Sequence, residues 1–129
     1  MGLVTPFPEP DSPELQHCVI AERGPIVEVL RRAQRAGAQL NAYRSEGAGF
    51  AVTRLLAIDG RHGRMSVEAV AAPPDGRRQA NGEVSTFVGF VEGDKLQFTA
   101  RGPAPQSAWD RRALSLALPD RLLLLQRRK

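Results

Sequence analysis

Cysteine is almost missing from this chain of 129 residues: Cys18 stands alone, so no internal disulfide can brace the fold. The start of the chain also lacks a basic stretch leading into an apolar run and a cleavage site, and the two absences together fit a reducing cytoplasm. Histidine is nearly as scarce. His17 and His62 lie far apart in sequence, and neither has carboxylates or cysteine at metal-ligand spacing, which speaks against a zinc site. Adjacent residues such as His17 and Cys18 point their side chains apart on most backbones, so a thiol–imidazole pair finds no support. No apolar run approaches the roughly 20 residues of a membrane span. Even the leucine-rich segment 122–125 follows directly on Asp120 and Arg121. Phosphate loops of the GxGxxG or Walker type and the GxSxG elbow are absent, and GAGF at 47–50 reads as a hairpin turn. With no pair of carboxylates placed as acid and base, no catalytic residue is nominated and the chain reads as a non-enzyme.

What is present is turn chemistry and a lopsided charge. Ten prolines and twelve glycines favour short strands over long helices. The net charge of +4 is confined to the C-terminal end: six cations face one acid from Arg111 onward, against twelve cations and thirteen acids before it. A polyanion-binding surface over the whole body is therefore disfavoured. Residues 1–23 read as a flexible N-terminal arm, because the prolines of MGLVTPFPEPDS restrict the backbone and offer no repeating buried face. Within that arm, SPELQHC has a capping serine and a first-turn proline suited to a brief helical turn. The next segment, PIVEVLRRAQRAGA, spaces Ile26, Val29, Leu30, Ala33 and Gly37 along one face of a helix. Its opposite face carries Glu28, Arg31, Arg32 and Arg35, ordinarily a solvated surface, with Glu28 and Arg32 four apart and able to pair.

Beyond Gly37 the period becomes alternating. A meander of three strands, AQLNAYR, GFAVTRLLAID and RMSVEAVAA, is followed by a hairpin, VSTFVGFVE to LQFTAR, turning at EGDK with Gly93 in the unusual backbone region. RALSLALP supplies one more strand, with Leu114, Leu116 and Leu118 on one side. About six antiparallel strands after one amphipathic helix predict a mainly β fold, a small split β-barrel over 24–118, since closure removes exposed edges. Pro119 is then expected to open a short helical connector over 119–129, which puts Leu122 and Leu125 on one face and leaves apolar surface for a second folded unit to cover. The last residues, Gln126, Arg127, Arg128 and Lys129, form a bare basic cluster. Such a tail is usually solvated, but paired guanidinium groups can also grip phosphate or a guanine edge.

The succession IVEVLRRAQRAGAQL, NAYRSEGAGFAVTRLLAID, RMSVEAV, VSTFVGFVEGDKLQFTA, ALSLALP and PDRLLLLQRR resembles the N-terminal, PilZN-type domain of YcgR-like flagellar brake proteins over roughly residues 24–129. The most specific portions are the helix-to-strand entry, Leu55 to Asp59, and the LPxxLxxLQRR junction, which in that family leads into a PilZ domain. The resemblance implies a split-barrel accessory domain without enzymatic activity and a neighbouring barrel that binds cyclic di-GMP. It also implies control of swimming through the flagellar motor, from the cytoplasm and at the flagellar basal body. Arg128 matches the first arginine of the family's RxxxR, with Arg127 just before it; the second arginine and the later DxSxxG motif fall beyond Lys129. Gln126, Arg127 and Arg128 are thus the near half of a nucleotide site that a PilZ domain completes. Leu122 and Leu125 are expected interdomain contacts, and no cofactor or metal is expected. The chain is expected to have been cut from, or to have evolved without, its PilZ partner. Arg31, Arg32 and Arg35 are candidates for the motor-facing surface, and homo-oligomerisation stays open. Two other classes remain in view at this point: a small-barrel nucleic-acid binder, disfavoured by an aromatic content of 5%, and a flavin-binding split barrel.

Overall fold

The computed structural model describes residues 8–9, 13–44, 50–68, 84–101 and 113–126. A 3-10 turn, Pro13–Cys18, opens the fold where the capping serine and proline predict a brief helical turn. It leads into β1 (Val19–Ile20) and then α1 (Arg23–Arg35). Eight further strands follow: β2 (Leu40–Arg44), β3 (Phe50–Thr53), β4 (Leu55–Asp59), β5 (Arg64–Glu68), β6 (Val84–Val91), β7 (Asp94–Arg101), β8 (Ala113–Ala117) and β9 (Leu122–Leu125).

The helix buries the expected face, with Ile26, Val29, Leu30 and Ala33 all in the core. Gly37, at φ 63°, ends it: Ala38 N–H reaches back to the Ala33 carbonyl at 3.0 Å, a closure that needs the left-handed backbone glycine adopts at little cost. The strands form two antiparallel sheets, one of six strands in the order β1-β9-β7-β6-β2-β3 and one of three in the order β4-β5-β8. The predicted β-rich, split-barrel class is what the chain adopts, with nine strands in place of about six and without closure of the two sheets into a barrel. The extra count has three sources. The predicted strand GFAVTRLLAID divides at Arg54, where the chain leaves one sheet for the other, and β1 and β9 are additional. Thr53 Oγ1 donates to the Glu68 carbonyl at 2.6 Å and Glu68 N–H to the Arg54 carbonyl at 2.9 Å, so the end of β5 pins that crossover.

The inner faces of both sheets and α1 share one core, which includes Leu40, Leu55, Met65, Leu96 and Leu116. Phe87 and Phe98 stack across β6 and β7 at 5.1 Å between centroids. The β6–β7 hairpin turns on Glu92 and Gly93, at φ 52° and 88°, the paired positive angles of a two-residue turn whose twist suits the strands. Arg32 of α1 secures this turn, with Nη2 donating to Asp94 Oδ2 at 2.9 Å. Its Nε lies 2.7 Å from Glu92 Oε1 but off the line of a hydrogen bond, so that contact is an ion pair only. Arg32 therefore does not sit on a free solvated face: it is spent on the hairpin, not on Glu28.

The chain also joins the fold earlier than residue 24, because Val19–Ile20 pairs with β9. The expected C-terminal helix is a strand. Leu122, Leu123, Leu124 and Leu125 pair with β7 opposite Phe98, Gln97, Leu96 and Lys95. Their backbone donors and acceptors are taken up by two neighbouring strands, which outweighs the weak helical preference Pro119 suggests for so short a segment. Side chains then alternate, so Leu122 shares a face with Leu124, not with Leu125. Leu122 is 1% exposed and belongs to this domain's own core, which removes it as an interdomain contact. Leu122→Ala should accordingly cost about 2–5 kcal/mol, against about 1 kcal/mol for the half-buried Leu125→Ala. Equal, small losses in urea unfolding would contradict the buried strand.

Candidate functional site

The junction predicted from the last residues is built by the 3-10 turn, β1 and β9. From β8 in the smaller sheet the chain passes through Leu118 and Pro119, both buried, with Leu118 N–H donating to the Gly63 carbonyl at 2.9 Å. It then enters the larger sheet between β1 and β7. Paired with β1 at Leu122 and Leu123 and with β7 as far as Leu125, β9 delivers Gln126 at the edge of the sheet. Gln126 is exposed and lines an open cleft of about 490 Å³ with His17, Cys18, Ile20 and Leu124. Ile20 and Leu124 pack against the core and form its apolar floor, while Gln126 and His17 bring polar groups. Arg127 and Arg128 lie outside the described residues. The approach of His17 and Cys18 to Gln126 was not legible in the sequence, because it depends on β1 pairing with a strand about a hundred residues away.

On the opposite face, Leu123 and Leu125 line up with Gln97 and Lys95 of β7. A second cleft of about 230 Å³ lies there, lined among others by Glu9, Gln16, Gln97, Thr99 and Arg121. Glu9 crosses this face and bonds both Lys95 and Gln97. Strand alternation places Lys95 outward, where solvent is the ordinary expectation, so nothing in the sequence marked it.

Two other expectations find their place here. Arg31 and Arg35 of α1 are exposed. His62 is engaged locally: its ring Nδ1–H donates to Asp59 Oδ2 at 2.8 Å and its backbone N–H to Asp59 Oδ1 at 3.1 Å. Among the described residues no group of three or more His, Cys, Asp or Glu is placed to hold a metal, and no helix is long and apolar enough to cross a membrane. The ring hydrogen bond from His62, followed by the backbone one, holds the Asp59 carboxyl below its ordinary 3.8. A depressed carboxylate adds stability that is present above 3.8 and lost as pH falls through the lowered value. His62→Ala removes the ring contact and keeps the backbone bonds from positions 61 and 62, so an NMR titration of the Asp59 carboxyl carbon should move partway back toward 3.8. An unchanged titration would contradict the ring contact.

Fold and junction together define a class: a β-rich domain of two open sheets, anchored by one helix, whose last strand leads the chain out at a fixed edge. The model of the PilZN domain of the flagellar regulator YcgR matches residues 19–124. The chain belongs to this PilZN family. The flagellar brake protein YcgR of Chromobacterium violaceum is 30% identical over 104 residues, covering 81% of this chain and 42% of that protein. Among solved structures, Escherichia coli YcgR in complex with c-di-GMP superposes with a TM-score of 0.72 at 20% identity, covering 88% of this chain and 49% of that one. The separate YcgR-N domain of the same organism gives 0.69 at 18% identity, covering 87% of this chain and 98% of that one. These structural likenesses show the fold. The chain thus spans about half the length, or less, of the whole YcgR proteins it matches.

Proposed function

We propose that this domain is a non-enzymatic regulatory module of cyclic di-GMP signalling that works against a PilZ domain and controls flagellar motility. The observation that carries the reading is the family match over residues 19–124, which runs from β1 into β9, the strand that leads to Gln126. A strand paired with β7 up to its last residue presents the residue after it from a defined position, which lowers the ordering cost of a site assembled between two domains. In this reading Gln126, Arg127 and Arg128 are the near half of the nucleotide site, the guanidinium groups bonding phosphate and guanine edges. A PilZ domain supplies the far half. Leu125, half-buried at the end of β9, is the interdomain contact that remains once Leu122 is assigned to the core. Ligand at the junction then favours one arrangement of the two domains over another, and that population shift is the output. The motor-facing surface would draw on Arg31 and Arg35 of α1, which stay exposed. The module works on the cytoplasmic side of the motor, at the flagellar basal body.

Calorimetric titration of cyclic di-GMP tests this, using the chain alone and the chain joined at its C-terminus to the PilZ domain of a YcgR relative. Binding is expected only with PilZ present, and Arg128→Ala should weaken it roughly 10- to 100-fold, the range of a charge-assisted hydrogen bond. Tight binding by the chain alone, or an Arg128→Ala variant that binds as the parent does, would place the pocket elsewhere.

A further inference from the structure

β1 pairs with β9 only at Leu122 and Leu123, because the chain ahead of Val19 is wound into the 3-10 turn Pro13–Cys18. β7 follows β9 two residues further, to Leu125. On the side away from β7, Leu124 and Leu125 are therefore without a strand partner among the described residues. The space there is the open cleft of about 490 Å³ lined by His17, Cys18, Ile20, Leu124 and Gln126. Ile20 stands opposite Leu122, and Leu124 follows Leu122 by two, so all three side chains share the core face of the sheet. Leu122 is enclosed, whereas Ile20 and Leu124 are only half-buried. With the two sheets not closed into a barrel, the core comes to the surface at this end of the domain.

The lining decides what the cleft can hold. Its floor is apolar, and among the described residues its walls carry no lysine, arginine or carboxylate to fix a charged small molecule. An apolar side chain from a folded partner fits better, since it takes Ile20 and Leu124 out of water. His17 and Gln126 make no hydrogen bond among the described residues, so both are free to bond the rim of that partner. Continuity says which partner. Gln126 lines the cleft and is also the residue to which β9 leads, so a domain carried beyond it is tethered at the rim. Tethering gives that domain an effective concentration here that a free protein lacks.

Building on the proposed work against a PilZ domain, we propose that the cleft between the 3-10 turn and the end of β9 is the seat on which that domain docks. Ile20 and Leu124 form the floor, adding to Leu125 at the end of the same strand, and His17 and Gln126 form the polar rim. The seat is covered in one arrangement of the two domains and open in the other. Cys18, half-buried in the cleft wall and the only cysteine of the chain, is a built-in reporter of that cover.

The test joins the chain at its C-terminus to the PilZ domain of a YcgR relative, with the cysteines of that domain replaced by serine. Labelling of Cys18 by a maleimide is timed with and without saturating cyclic di-GMP. In at least one of the two states it should be about tenfold or more slower than in the chain alone, because the thiol reacts only when the seat opens. In that state amide NMR shifts should move at His17, Cys18, Ile20 and Leu124, and not at Lys95 or Gln97 on the other face. Labelling as fast as in the chain alone in both states overturns the seat, as do shifts confined to the other face or to α1. Nucleotide binding that still requires PilZ then leaves the junction reading standing. Slowed labelling with the expected shifts but no nucleotide binding supports the seat and removes the nucleotide half-site. No binding and no shifts anywhere in this domain defeat both.

Discussion

The rest of the structure depends on one apolar strand, Leu122–Leu125, filling the place between β1 and β7. Without it, β1 has no partner among the described residues, and the β7 edge that lies over Leu96 and Phe98 stands open. Because β9 meets a two-residue strand near the start of the chain, the contact closes a loop of about a hundred residues. Such closure costs entropy before it returns any packing, so the burial of Leu122 has to offset it.

The same strand ties stability to the site. Its inward leucines, Leu122 and Leu124, serve the core, while Leu123 and Leu125 stand on the outer face beside Gln97 and Lys95. One segment thereby fixes where Gln126 leaves the sheet and shares a surface with the Glu9 contact. The β6–β7 hairpin at the end of that surface is held by Arg32 from α1, so helix, hairpin and exit strand are linked through β7.

Much of this frame was legible in the residues. The spacing of Ile26, Val29, Leu30 and Ala33 names the buried helix face, and Glu92-Gly93 names the hairpin, because both signals are local and carry their own geometry. The four leucines carry no period at all. An apolar run cannot say whether it is strand or helix, and Pro119, which suggested a helix start, is instead buried at the crossover between sheets. Alternation continues unbroken through Thr53 and Leu55, which hid the change of sheet at Arg54. Val19–Ile20 is too short to announce itself as a strand. Of the candidate site, the exit at Gln126 was readable. The burial of Lys95 was not, since its partner Glu9 is 86 residues away in sequence and the strand pattern alone puts Lys95 toward solvent.

The most direct measurement is solution NMR across Leu122–Gln126 in the full chain. The account predicts cross-strand contacts from Leu123 to both Gln97 and Val19, with slowly exchanging leucine amides. Successive amide–amide contacts and i to i+3 contacts running through the leucines, with no contact to Gln97, would mark a helix and contradict it.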